Sequence, residues 1–364
     1  MSRAAQLMSD TGYRPRWHGL VIFWVAILVA LGAGAGLLQS LGPPAPPPTA
    51  AASVKPVAAA APTSIPAATV IHPVARPAPP DTLPGRGTPG PVADPDPALQ
   101  EPAPGMDGTL PRIAEDGRMP MQVYAAGFDH SSQRPRVGLL LAGIGLNSAL
   151  SEQAIRTLPG AITLAVSPYA QDTAHLLTEA RMAEHEYLIS IPMEPESYPL
   201  NDPGNHALTT SNTPDDNAKQ LVWALSRIVG YVGATGALGL TRGERFASIP
   251  VDMDPVLTTL AARGLLYVDP RPAQRHPPGG LPHVWSREVD LVIDEPDDAR
   301  AIDAKLAALV RIAQQTGSAL GLAGAVRPVT VERIAAWANE LAAQGVVLAP
   351  VSALVQSPVS APTQ

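Results

Sequence analysis

Between residues 134 and 193 the chain alternates short, continuously apolar runs with amphipathic segments, and this rhythm limits the possible folds more than any other feature. Val137-Gly138-Leu139-Leu140-Leu141 leads into Ala142-Gly143-Ile144-Gly145, a second apolar run covers 161–167, and a third covers 187–191 before Pro192-Met193-Glu194-Pro195. Strands that are apolar throughout are buried on both faces, and strands linked by helices are parallel. The alternation continues downstream. Periodicity predicts helices over 148–158, 172–183, 214–229, 254–263, 298–315 and 330–344, and strands over 236–240, 265–269, 289–294, 318–323 and 346–350. Thr213 before Pro214, Asp252 and Asp254 near Pro255, and Thr330 before Glu332 are start signals, while Gly264, Gly317 and Gly345 fall where helices should stop. About seven or eight βα units predict an α/β fold of the (β/α) barrel kind. The Pro- and Gly-rich stretch 270–283 reads as a loop.

Upstream the character changes. Residues 1–18 are polar, with Arg3, Arg14 and Arg16, and 19–38 form an uncharged apolar run with Trp24 inside it. That run has the length of a bilayer-spanning helix, about 20 residues, and the preceding arginines orient the N-terminus to the cytoplasm. A signal anchor is expected, with the rest of the chain on the periplasmic side of an inner membrane. A cleaved signal peptide is the competing reading, disfavoured by the length of the run. Residues 39–117 hold about half of the 42 prolines and read as a disordered Pro/Ala-rich linker. The globular domain is expected over 118–356, with a flexible tail at 357–364. Absence of cysteine rules out disulfides and thiolate metal sites, and a net charge of −7 without a basic stripe excludes nucleic acid as a partner. Aromatics are only 4% of the chain, so rows of sugar-stacking rings are not expected.

The globular part resembles the divergent polysaccharide deacetylase family, a distant branch of the NodB-like carbohydrate deacetylases. The residues carrying the resemblance are the strand closing on Gly145, His185-Glu186, Pro192-Met193-Glu194-Pro195, Gly204 with Leu208, Gly230-Tyr231-Val232-Gly233, Leu265-Leu266-Tyr267-Val268-Asp269, and the run from Val346 to Val351. The resemblance implies a barrel that hydrolyses acetyl groups on a polysaccharide with a divalent metal such as zinc. This sequence departs from the family's pattern where that chemistry should lie. Two adjacent aspartates are expected at Ala142 and Gly143, a histidine within 236–240, and another within 321–325. None is there. No metal is therefore assigned, and no cofactor is expected unless the site has been rebuilt from other residues.

Barrel enzymes of this architecture work at the C-terminal ends of their strands. By that test His185 and Glu186, which precede a strand, read as structural. Glu194, Asp269 and Asp294 end strands and are the candidate catalytic carboxylates. Each has a competing local role: a salt bridge for Glu194, an ion pair with Arg271 for Asp269, and a helix cap for Asp294. Arg242, Arg271, Arg327 and His206 are candidate substrate-binding residues, since guanidinium groups suit planar oxyanions. The remaining histidines show no metal-ligand spacing, and no nucleophile elbow, phosphate loop or dinucleotide fingerprint appears. Three functions stay open: a degenerate family member that binds envelope glycan, peptidoglycan or a regulator of cell-wall hydrolases; an active deacetylase with a rebuilt metal site; and a scaffold near the cell wall.

Overall fold

The computed structural model describes Trp24, residues 87–272 and residues 281–358. The expected membrane span at 19–38, apart from Trp24, lies outside these residues, as do the tip of the 270–283 loop and the end of the tail. Among the described residues no helix is long and apolar enough to cross a membrane.

The central strand is β3 (Arg136–Ile144), buried at every position after Arg136. Around it run β4 (Thr163–Val166), β5 (Tyr187–Ser190), β6 (Gly233–Thr235), β7 (Leu266–Asp269), β8 (Ser286–Glu288), β9 (Leu291–Val292) and β10 (Ser318–Ala323). All pair in parallel, in the order β8-β7-β6-β5-β4-β3-β10-β9, and β11 (Val347–Leu348) lies beside the start of β3. The stretch 286–292 pairs with β7 through its first half and with β10 through its second, so both flanks of the curled sheet meet on one segment. Such a curl fits the barrel expected from the sequence. The helices are α2 (Ser148–Thr157), α3 (Thr173–Met182), α4 (Pro214–Leu225), α5 (Glu244–Ala247), α6 (Pro250–Ala262), α7 (Ala299–Thr316) and α8 (Pro328–Glu340), after a short α1 (Pro120–Val123).

Strand alternation divides the core in two. Leu139, Leu141, Tyr187, Ile189 and Tyr267 pack against the helices, while Leu140, Ala142, Ala165, Leu188, Val268 and Leu322 line the lumen. The lumen is also occupied from the N-terminal side of the sheet by Val92, Leu99, Tyr124, Ala126 and Phe128. This corrects the expected linker boundary at 117. The residues from 87 onward are not a tether, since β1 (Gln100–Pro102) and β2 (Thr109–Pro111) form an antiparallel ribbon with Leu99 and Leu110 each 1% exposed. Their prolines conceal this in the sequence, because edge positions and turns tolerate residues without an N–H.

Two other expectations shift. The strand placed at 236–240 lies instead at Gly233–Thr235 and is followed by a turn with Gly239 in the left-handed region. A Cβ at Gly233 would sit 2.2 Å from the Leu266 carbonyl oxygen, so a small residue marks strand contact here, not a break. The helix expected from 254 begins at Pro250 and carries Pro255 inside it.

Candidate functional site at the C-terminal ends of the strands

His185 and Glu186 lie at the opposite end of the strands. The His185 ring nitrogens lie 2.7 Å from the Ile162 carbonyl oxygen and 3.1 Å from that of Ile155, of which a neutral ring donates to one, and burial pulls its pKa below the usual imidazole value. Glu186 accepts from the N–H groups of Ala126 and Ser352 and the hydroxyls of Thr163 and Ser352, tying the N-terminal segment, β4 and the last turn together. Both are structural, as their place before β5 implies.

At the C-terminal ends, Glu194 is 3% exposed. Its Oε2 accepts from the Thr210 N–H (2.6 Å) and hydroxyl (2.8 Å), and its Oε1 meets Arg245 at 3.1 Å, fastening the loop after β5 to α5. Asp269 and Arg271 are held to each other: Oδ1 accepts from the Arg271 N–H and Nε, and Oδ2 from Nη2 at 2.7 Å. Among the described residues no hydrogen bond joins Glu194 to this pair. Asp294 is 1% exposed and accepts from the Gly324 N–H (2.9 Å) and the Ala325 N–H (3.1 Å). Burial pushes its carboxyl above the usual range, while the two N–H donors pull the other way. The cap role weighed for Asp294 belongs to Asp298, which accepts from Arg300 and Ala301 at the start of α7.

The candidate binding residues separate. Arg242 bridges Glu295 (2.7 Å) and Glu244 (3.2 Å), and Arg327 pairs with Asp297 at 3.0 Å. His206 lies elsewhere, stacked on Trp223 with centroids 3.7 Å apart and bonded through Nδ1 to Gln220 Oε1. Arg245, Tyr169 and Trp223 were not singled out by sequence; Arg245 alone had a signal, its place just past the Gly243 that turns the chain into α5.

Three segments converge at the mouth. A Cβ on Gly143 would lie 3.6 Å from the Gly324 carbonyl oxygen and 3.7 Å from Leu146 Cδ1. One on Gly239 would lie 3.8 Å from the same Leu146 carbon, and one on Gly324 would lie 3.0 Å from the Gly239 carbonyl oxygen. The ends of β3 and β10 and the turn after β6 therefore share one small volume, with Leu146 and Leu240 exposed at its rim.

A model of the divergent polysaccharide deacetylases matches residues 139–355. The chain belongs to the divergent polysaccharide deacetylase family. An uncharacterized protein from Agrobacterium tumefaciens is similar in structure at 30% identity and TM-score 0.62, over 68% of this chain and 100% of that one. The catalytic domain of a peptidoglycan N-acetylglucosamine deacetylase from Eubacterium rectale aligns at 13% identity and TM-score 0.38, over 63% of this chain and 94% of that one. No curated protein matches the chain.

The resemblance of this deacetylase-family chain to metal-dependent enzymes raises the question of whether its residues fit a divalent ion. At the mouth they do not. The segment ends carry Ala142, Gly143, Gly239 and Gly324, and both oxygens of Asp294 are engaged by main-chain donors. Ser190 Oγ, on the lumen side of β5 by alternation, is buried without a hydrogen-bond partner, but a neutral hydroxyl is a weak ligand on its own. Among the described residues no three His, Asp or Glu side chains are grouped to hold a metal.

Proposed function

We propose that this member of the divergent polysaccharide deacetylase family binds an envelope glycan without releasing acetate from it, and that residues 19–38 hold it to the periplasmic face of an inner membrane. The observation that carries the reading is the meeting of 142–143, 236–240 and 321–325 at one place with no carboxylate or imidazole among them. Metal-assisted hydrolysis needs a Lewis acid and an activated water. Ala, Gly and Leu supply no ligand for the first and no base for the second. The carboxylates close by are committed: Glu194 to Thr210 and Arg245, Asp269 to Arg271, and Asp294 to two N–H groups. What the mouth offers is recognition chemistry, an apolar rim at Leu146 and Leu240 beside the Arg242–Glu295 pair. The apolar length and preceding arginines of the N-terminal segment support the location.

The test is acetate release from acetylated glycan oligomers, measured with and without added zinc, alongside glycan binding. The expected outcome is binding that weakens on Arg242→Ala and no acetate in either condition. Zinc-dependent acetate release that disappears in Asp294→Asn would overturn the reading in favour of a rebuilt active site.

A further inference from the structure

The chain has few aromatic residues, yet two of them meet a histidine on the flank of the barrel. Tyr169 follows β4, His206 lies in the loop after β5, and Trp223 is in the last turn of α4. His206 stacks on Trp223 at 3.7 Å with planes 11° apart, and Tyr169 lies 5.2 Å from Trp223. All three rings are half-buried, so each keeps part of its surface in water. The arrangement is held from several sides. The His206 N–H donates to the Tyr169 hydroxyl (3.3 Å), and a Cβ on Gly204 would lie 2.5 Å from that oxygen, so only glycine lets the loop close down. With Gln220 Oε1 accepting from Nδ1, Nε2 is left as an acceptor. Arg227 is exposed, places its guanidinium 5.5 Å from the Trp223 ring centroid and donates to the Pro168 carbonyl oxygen, and among the described residues it has no carboxylate partner.

We propose that Tyr169, His206, Trp223 and Arg227 form a glycan subsite on the flank of the barrel, taking a pyranose ring from a chain that carries carboxylates. A pyranose presents C–H groups on one face and hydroxyls at its edge. Half-exposed rings offer the first an apolar surface, the free His206 nitrogen offers the second an acceptor, and an unpaired guanidinium fits a carboxylate. The preorganised loop matters because rings already ordered lose less entropy on binding. This subsite rests on the glycan-binding reading above but not on the mouth residues.

The test uses the full-length chain, with glycan strands stripped of their peptides (which keep a carboxylate on alternate sugars) and a neutral chitin oligomer as probes, binding being read by calorimetry. Trp223→Ala is expected to weaken both probes by about tenfold or more, and Arg227→Ala to weaken only the carboxylate-bearing one. His206→Ala, a loop substitution, gives the same answer as Trp223→Ala if removal of the tryptophan impairs folding. Binding by the wild type that none of the three substitutions changes overturns the subsite alone, and equal loss of both probes in Arg227→Ala overturns the carboxylate. If the wild type binds neither probe, the glycan-binding reading itself falls.

Discussion

Glu186 is the buried carboxyl on which the lower end of the barrel depends, and Glu186→Ala measures how much. The side chain is fully buried and accepts four hydrogen bonds from three separate stretches of chain. After truncation the hydroxyls of Thr163 and Ser352 rotate to new partners, but the N–H groups of Ala126 and Ser352 have no such freedom. Each buried donor left unmatched costs about 1–3 kcal/mol, and the emptied volume adds to this, so a loss of roughly 3–5 kcal/mol is expected. In urea unfolding that appears as a midpoint lower by about 1–2 M with little change of slope. The pH dependence has a definite sign. Burial, the dominant influence, raises the carboxyl above its ordinary value against the hydrogen bonds. The native state therefore holds its proton to higher pH than the unfolded chain does. This contribution is fully present below the unfolded pKa and is lost as pH rises through the folded one. Glu186→Gln, which does not titrate, is expected to flatten that part of the stability–pH curve. A Glu186→Ala variant within about 1 kcal/mol of wild type would refute the reasoning, because it would mean the four donors find other partners.

Two further outcomes follow from the same structure. Arg271→Ala leaves Asp269, 1% exposed, without its guanidinium, and breaking a buried pair from one side is expected to cost about 3–5 kcal/mol, seen as a lower urea midpoint; an unchanged midpoint would count against a buried pair. A reporter fused after residue 364 is expected to be active only in its periplasmic form and to sediment with membranes, and a soluble cytoplasmic fusion would remove the proposed anchor.

Much of the fold was legible because burial on two faces leaves a plain mark. β3, β7 and β10 lie where continuous apolar runs placed them, and Asn147, Thr213 and Asp298 cap their helices with side-chain acceptors. What escaped was the contribution of small residues and prolines. Gly233–Thr235 forms a strand because its side chains leave room for the Leu266 backbone, a relation between segments that one segment cannot reveal. The residues from 87 to 117 hide a folded cap inside a proline-rich composition. Glu194, Asp269 and Asp294 lie at or just past strand ends, where the sequence put them, but which donors Glu194 and Asp294 accept from depends on Thr210, Arg245, Gly324 and Ala325, which no local pattern ties to them. The aromatic flank was missed for a related reason: Tyr169, His206 and Trp223 are scattered in sequence and meet only after the loop following β5 folds back along α4.

The backbone at the mouth limits which side chains its strand ends can carry. Gly143 has φ +82°, where the pairing of β3 with β4 shifts register between Leu141 and Ile144. A side chain there would have to adopt a left-handed conformation, uncommon for most residues though less so for aspartate. At Gly324 the obstacle is space, since a Cβ would come within 3.0 Å of the Gly239 carbonyl oxygen. The turn after β6 can approach β10 this closely because Gly324 has no side chain. A side chain at Gly324 would therefore require the Gly239 carbonyl to give by a few tenths of an ångström. Small residues at the strand ends and the inward seat of the turn form one arrangement, in which the close approach of the turn to β10 depends on the missing side chain at Gly324.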